Sequence, residues 1–542
     1  FQVESRAQMG LLPRLQPRRF YDLVVQIALI RPGPIQGGAV HPFVRRKLGQ
    51  EKVTYAHPKL KPALERTLGI PVFQEQLMQM AMAVGECSGE DADLLRRAMG
   101  SKRGVERIES LREKLYAGMA TNGLVGADAD AIYEKIQAFA NFGFAESHSL
   151  SFALLVYASS WIKLHYPGAF LAGLLRAQPM GFYSAATLVA DARRHGVEVL
   201  RPDLRYSGVD AGLEVGSGAQ TTSPEQAIRP EQAEMPQKRP VFGESPVLGK
   251  SAGNAAGQPT GQSVGKPAGE QAGQPTGRDA CTHRLQEPVG DFKLHAPDES
   301  AAHRRDGGFA VRLGLAGVKG IGSAVATRIV AERERGGDFA DMRDLVRRTG
   351  VTAAQLEALS TSGAFEGFDM SRREGIWLAG SAAQDRIEFL PNSMISVQPP
   401  LFTDPTSYEL LVADLWATGI STEDHPMTHY RSGLDARGVL TSRELRTHES
   451  GRRVEVAGLV THRQRPATAS GITFINLEDE HGLVNVICSV GVWNRYRRVV
   501  RDSPALIARG MLERSVEGVT NLLADRFVDL RVSIEHRSRD FR

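Results

Sequence analysis

The chain has 542 residues, 42% hydrophobic and 24% charged, with a formal net charge of +4. No apolar run is long enough to span a bilayer, which excludes a helical membrane protein and leads to the expectation of a soluble, cytoplasmic one. The three cysteines, Cys87, Cys281 and Cys488, lie far apart with no CxxC pair, which argues against a disulfide framework or a zinc site. A chain of this length accommodates about three or four domains. Its opening, Phe1-Gln2-Val3-Glu4-Ser5, reads like the interior of a domain, so residue 1 is expected to be a cut.

Residues 1–210 alternate helical apolar periodicity with Pro/Gly turns. Within them, Ser88-Gly89-Glu90-Asp91 predicts a helix start, with Ser88 as cap and acids in the first turn. Leu94, Leu95, Ala98 and Met99 are expected on one face, Arg96 and Arg97 on the other, with Lys102-Arg103 just beyond. Two adjacent guanidiniums suit a polyphosphate, because each engages phosphate oxygens bidentately. An exposed, solvated arginine pair is the ordinary alternative. Residues 141–149 form a Gly/aromatic/His segment before an apolar helix at 152–161. There Phe142 could stack on a base and His148 could contact a phosphate, or the two could serve as core and cap. Other basic clusters, Arg45-Arg46-Lys47, Arg193-Arg194-His195 and residues 495–501, read most simply as solvated faces.

Composition changes sharply over residues 211–306, where Gly, Ala, Gln, Pro, Ser and Thr dominate. Ala-Gly-Gln-Pro-Thr-Gly occurs at 256–261 and again at 272–277. Such a segment buries too little apolar surface to offset its ordering entropy, so a disordered, low-complexity insertion in a surface loop is expected.

Order resumes with a strand-like run at 309–315, then residues 307–383 predict a helix-hairpin-helix domain. Its signal is Gly317-Val318-Lys319-Gly320-Ile321-Gly322, followed by Ser323. The Gly-Ile-Gly turn lets backbone approach a phosphate without a Cβ in the way. Ser323 is expected to cap the next helix, whose free N–H groups favour an anion, with Lys319 adding charge. Contact of this kind positions a duplex and reads no sequence. A Pro-rich connector is expected over 384–452. Over 453–535 the period moves towards two, and three strands, a helix and two strands follow, the order of a five-stranded OB barrel. Residues 536–542 form a short tail.

These strings resemble, in order, successive landmarks of the C-family bacterial DNA polymerases, the group of the polymerase III alpha subunit. They are Phe1-Gln2-Val3-Glu4-Ser5-Arg6-Ala7-Gln8-Met9, Leu29-Ile30-Arg31-Pro32-Gly33-Pro34, Phe73-Gln74-Glu75-Gln76, residues 92–100, and Gly143-Phe144 through Ser147-His148. His41-Pro42-Phe43-Val44, Gln178-Pro179-Met180-Gly181, residues 189–196 and Ser538-Arg539-Asp540-Phe541 resemble its error-prone branch. The resemblance implies a mainly α-helical fingers domain, then the helix-hairpin-helix domain and the OB barrel. It also implies nucleotidyl transfer by a DNA-directed DNA polymerase, with error-prone translesion synthesis in the DNA damage response. Arg96, Arg97, Phe142 and His148 would face the nucleotide, and Lys319, Gly320, Ile321, Gly322 and Ser323 the DNA. Phe142 stands where many members have Tyr. Ala145-Glu146 replaces the Asn-Lys of replicative members, which removes a positive charge.

The family's chemistry uses Mg2+ held by palm aspartates, expected before residue 1, so no catalytic or metal residue is expected here and the fragment alone is expected to be inactive. Asp91/Asp93 and Asp128/Asp130 have Asp-x-Asp spacing, but the first pair opens a helix and the second is expected between helices. Gln398-Pro399-Pro400-Leu401-Phe402 resembles the Gln-x-x-Leu-Phe peptide that docks on sliding clamps. Primer-template DNA, deoxynucleoside triphosphates, the clamp and accessory mutagenesis proteins are the implied partners. A replicative alpha subunit, or a non-enzymatic DNA-binding protein built from the hairpin and barrel modules, remain alternatives.

Overall fold

The computed structural model describes residues 2–31, 34, 38–99, 104–138, 143–181, 183–216, 300–385, 400, 402–466, 471–515, 519–533 and 538–541. The repeats of the expected insertion, with Lys102, Arg103, Phe142, Gln398 and Leu401, lie outside them. Among the described residues no helix is long and apolar enough to cross a membrane.

The N-terminal third is helical because its apolar residues recur at helical spacing and each stripe finds a partner. Arg6–Leu15, Phe20–Leu29 and Val40–Lys47 bury Leu15, Val24, Ile27 and Phe43 against Ala153 and Val156 of the long helix Glu146–His165. A second core gathers Leu77, Met80, Leu95, Leu115, Ile132 and Ile136 from helices Gln74–Gly85, Gly89–Ala98, Arg112–Thr121 and Ala127–Ala138. Backbone touches backbone there: a Cβ on Gly118 would lie 2.1 Å from the Gly85 carbonyl oxygen.

Three short strands follow, β1 (Val199–Leu200), β2 (Gly212–Val215) and β3 (Phe309–Arg312), in the order β1-β3-β2. β3 is shorter than the expected 309–315, because Leu315–Gly317 turns as a 3-10 helix. β2 and β3 pair antiparallel, with Val215 opposite Phe309, and the Gly216 N–H donates to the Gly308 carbonyl at 2.8 Å. The described residues on either side of 217–299 are thereby held side by side.

Helices Gly322–Gly336, Met342–Thr349, Ala353–Thr361 and Arg372–Ala382 enclose a core of Val318, Ile321, Ile329, Leu345, Leu356 and Phe365. The expected connector is not irregular throughout. Ser407–Thr418 is a helix, started by a Thr406–Glu409 capping box and stopped by left-handed Gly419. It is fastened to the preceding domain by a buried ion pair, Arg372 Nη1 to Asp414 Oδ1 at 2.7 Å.

The C-terminal region is a closed barrel of β4 (Arg453–Gln464), β5 (Thr473–Asp479), β6 (Gly482–Cys488), β7 (Ala505–Arg514) and β8 (Thr520–Asp529). The order is β5-β6-β8-β7-β4, closed by the β5–β4 pairing, with β6 and β8 parallel. Helix Val490–Asp502 sits between the third and fourth strands, as in an OB-like fold. Closure requires tight corners: β7 bulges between Arg509 and Gly510, where a Cβ would lie 2.1 Å from the Leu523 carbonyl oxygen.

One buried charge links the barrel to the helical part. Glu478 on β5 meets Arg194 of helix Ala185–Arg194 at 3.5 Å, and burial pushes its carboxyl up to about 6 despite that partner. The folded-state value is raised, so the folded state holds the extra proton. Its contribution is full below about pH 4 and is lost as pH rises through about 6. Glu478→Gln is expected to remove about 2 kcal/mol of this pH dependence, measured by chemical denaturation between pH 4.5 and 6.5. An unchanged pH profile in the variant contradicts this account.

Candidate nucleotide and DNA interface

Ser88 caps helix Gly89–Ala98 as its sequence predicts. The Asp91 N–H donates to Ser88 Oγ, and the Ser88 N–H and Oγ–H both donate to Asp91 Oδ2 at 2.7 Å. Lys114 pairs with the same carboxylate, and with the Ser88 bonds it holds Asp91 down to about 2. The inward face is Ala92, Leu95, Ala98 and Met99; Leu94, expected there, is 37% exposed. A residue one position before Leu95 lies about 100° around the helix, which carries Leu94 out of a narrow stripe.

Arg96 and Arg97 stand exposed at the end of that helix. Both reach one carboxylate: Arg96 Nη2 lies 2.8 Å from Asp93 Oδ1 and Arg97 Nη2 2.7 Å from Asp93 Oδ2. Asp93 gathers the two guanidiniums together, and these bonds, chiefly that from Arg96, lower its own carboxyl from the ordinary value. Ion pairs this exposed add little stability, so a phosphate can displace the carboxylate at little cost.

His148 lies in the first turn of Glu146–His165, exposed at its surface. Its ring meets the edges of Phe144 at 5.5 Å and Phe152 at 4.5 Å, and the Arg31 guanidinium lies over Phe144 at 4.5 Å. The apolar helix expected at 152–161 is therefore longer at both ends, and Leu154, Leu155 and Tyr157 on it are exposed.

The Phe73-Gln74-Glu75-Gln76 string holds this segment in place. The Gln74 N–H donates to the Phe144 carbonyl at 3.1 Å, and Glu75 Oε2 accepts from the Glu146 N–H at 3.0 Å. Gly143 then makes the close contact: a Cβ there would lie 2.8 Å from Met99 Cβ and 2.8 Å from Gln74 Oε1. Met99 follows the arginine helix directly, so the arginine and histidine segments are brought against each other. Phe142 lies outside the described residues.

Glu146, read from sequence as a lost positive charge, has a structural task. It accepts from the Tyr21 hydroxyl at 2.6 Å and pairs with Arg66 Nη2 at 3.2 Å, while Arg66 stacks over the Tyr21 ring at 4.5 Å. Burial and the Glu146 carboxylate push the Tyr21 phenol well above its ordinary value, so it stays a donor.

In the hairpin, Gly320 has φ 78°, Ile321 φ −86°, and Gly322 φ 64°. Backbone alternating in hand this way is a geometry found in anion-binding concavities, although the Ile321 N–H itself donates to the Val318 carbonyl at 3.0 Å. Nothing lies within 4 Å of a Cβ built on either glycine. Ser323 does not cap the helix as expected. The helix begins at Gly322 with Ile321 in the cap position, so Ser323 is already its second residue and no side-chain cap bond forms. Lys319 Nζ lies 4.2 Å from the centre of the Trp416 ring, and the Lys319 N–H donates to the Ala417 carbonyl at 2.7 Å. Trp416 escaped the sequence reading because it lies in the expected connector.

Two of the other basic clusters are tied to protein partners and are not simply solvated faces. Arg45 and Arg46 pair with Glu51, Lys47 with Asp22, Arg194 with Asp191, and Arg193 donates to the Glu423 carbonyl. Phe402 of the clamp-like peptide packs edgewise on Trp377 at 6.1 Å, while Gln398 and Leu401 lie outside the described residues. Asp128 and Asp130 lie in the first turn of Ala127–Ala138, not between helices as expected, and Asp130 accepts from the Tyr116 hydroxyl. Among the described residues no group of three or more His, Cys, Asp or Glu side chains could hold a metal ion.

Residues 1–123 match the model described as bacterial DNA polymerase III alpha subunit finger domain, and residues 290–375 a helix-hairpin-helix motif. The whole chain is 53% identical to an error-prone DNA polymerase of Cutibacterium acnes, of which it covers 44%. It is 46% identical to the error-prone DNA polymerase of Nocardia farcinica, covering 40% of it, and 45% to that of Mycobacterium bovis, covering 41%. Over its whole length the chain is therefore similar to part of these error-prone DNA polymerases. It spans about two fifths of the length of these curated relatives. A solved asparaginyl-tRNA synthetase from Pyrococcus horikoshii overlaps 18% of the chain at 16% identity and a TM-score of 0.15, too slight to bear on function.

Gly143→Ala is expected to cost about 1–3 kcal/mol, the range for forcing atoms into a packed contact. Gly173 has nothing within 4 Å of a built Cβ, and Gly173→Ala is expected to be neutral or stabilising. Equal denaturation midpoints for the two variants would contradict the close contact at Gly143.

Proposed function

We propose that this chain supplies the fingers, helix-hairpin-helix and barrel parts of a cytoplasmic DNA-directed DNA polymerase that extends a primer 3′ end. Its role in this reading is error-prone translesion synthesis during the DNA damage response. Residues 1–210 act as fingers, 307–383 as the hairpin domain and 453–535 as the oligonucleotide-binding barrel. The match along the whole of this chain to part of relatives named error-prone DNA polymerase supports the reading.

The observation that carries it is the juxtaposition made at Gly143. Arg96 and Arg97 at one helix end and His148 at the start of another are joined through the Met99–Gly143 contact. An incoming triphosphate displaces Asp93 and takes both guanidiniums as charge-assisted, bidentate partners. His148, steadied by Phe144 and Phe152, adds a polar contact beside an aromatic surface on which a base can rest. The hairpin concavity at Gly320–Gly322 takes a duplex phosphate without reading sequence. Mg2+, which polymerase chemistry uses to activate the primer hydroxyl and neutralise the triphosphate, is held in this reading by carboxylates outside these 542 residues.

Primer-template binding measured by fluorescence anisotropy at several salt concentrations tests the proposal, with and without a deoxynucleoside triphosphate. Affinity is expected to fall with salt and to rise on adding nucleotide. In Arg96→Ala/Arg97→Ala the nucleotide-induced gain is expected to vanish while salt-dependent binding persists. A gain of the same size in the double variant would refute the role of these arginines. No gain in either protein would favour a DNA-binding module without a nucleotide site.

A further inference from the structure

We propose that Trp416, on the helix that follows the hairpin domain, is a positioning residue for duplex binding, holding the Lys319 ammonium at the Gly320–Gly322 concavity. The inference rests on the reading of that hairpin as a phosphate site. It also extends the DNA-binding unit to helix Ser407–Thr418, beyond the residues that match the hairpin motif.

A lysine at a protein surface is a flexible chain, and each contact it makes with a phosphate must overcome the entropy of ordering it. Lys319 is ordered beforehand. Its ammonium lies 4.2 Å from the centre of the Trp416 ring, inside the range of a cation–π attraction, and indole is the strongest aromatic partner for it. The backbone is fixed as well, by the Lys319 N–H donating to the Ala417 carbonyl at 2.7 Å and by Gln355 Nε2 donating to the Gly320 carbonyl at 3.2 Å.

The ring is itself held by a rigid mount. Leu411 and Ala417 on the same helix are buried, and Asp414 is locked to Arg372 at 2.7 Å where both side chains are almost wholly inaccessible. Arg373 adds a surface tie to Glu409 at 2.9 Å. Yet the indole of Trp416 is 48% exposed, so filling the core does not account for it. A half-exposed aromatic face beside a turn left open at Gly320 and Gly322 is where a cation can be presented to a nucleic-acid backbone. The phosphate then meets that open turn and a charge already in place, which is preorganisation.

Duplex binding by the whole chain, read as anisotropy of labelled primer-template across a salt series, tests this with Lys319→Ala, Trp416→Leu, the double variant and Trp416→Phe. Lys319→Ala is expected to weaken binding several-fold and to reduce the slope of log affinity against log salt by about one. Trp416→Leu is expected to weaken binding and lower the slope in the same direction, although it removes no charge. The double variant is expected to bind no more weakly than Lys319→Ala alone, because the ring acts through the lysine. Trp416→Phe, which keeps an aromatic face, is expected to retain most of the affinity, and this separates positioning from general loss of structure. Weakening by Lys319→Ala with none from Trp416→Leu overturns the inference and leaves the hairpin reading standing. Effects that multiply in the double variant overturn it as well, since the ring would then act independently. No effect of Lys319→Ala overturns the hairpin reading and this inference with it.

Discussion

The absence of a side chain at Gly143 is the constraint on which the part of the protein proposed to face nucleotide depends. With no Cβ, residues 143–146 lie against Met99 and Gln74 closely enough for the Gln74 N–H to reach the Phe144 carbonyl and for Glu75 to receive the Glu146 N–H. The helix carrying His148 therefore starts at a fixed point beside the end of the helix carrying Arg96 and Arg97. Tyr21 and Arg66 hold Glu146 from the other side, so its first turn is anchored by hydrogen bonds rather than by apolar packing alone.

Magnitudes separate the charges that build the molecule from those left for a ligand. A buried pair such as Arg372–Asp414 cannot lose a partner without leaving an uncompensated charge, which costs about 3–5 kcal/mol. It fastens one helix to another and is unavailable to DNA. The Arg96–Asp93–Arg97 cluster lies in water, where such pairs add little stability, so in the proposed function a polyphosphate displaces the carboxylate. Lys319 is intermediate: it lies over a ring instead of against an acid, which restricts its motion without placing a carboxylate in competition with a phosphate. The arginines and lysine at 45–47, with Arg193 and Arg194, all find protein partners, so basic clustering alone was a poor guide to where nucleic acid would contact the chain.

Much of the fold was legible because the governing signals are local. Ser88-Gly89-Glu90-Asp91 marked a helix start, and the alternation from Val454 onward gave the five barrel strands in order. Features that depend on tertiary partners were not legible. Leu94 is apolar yet exposed, because the stripe its helix buries is narrow. Ser323 lost its cap because left-handed Gly322 entered the first turn. Helix Ser407–Thr418 was hidden in a Pro-rich stretch, although Thr406 and Glu409 three residues apart were a capping-box signal. Glu146 looked like a missing lysine, and only the positions of Tyr21 and Arg66, distant in sequence, explain it.

The most direct measurement is backbone amide hydrogen exchange on the chain bound to primer-template, before and after adding a deoxynucleoside triphosphate. If the Gly143 contact makes one site of two helices, amides at 94–99 and 146–152 are protected together when nucleotide is added. Protection at only one of these segments, or none at either while the hairpin and barrel stay protected by DNA, would contradict the account.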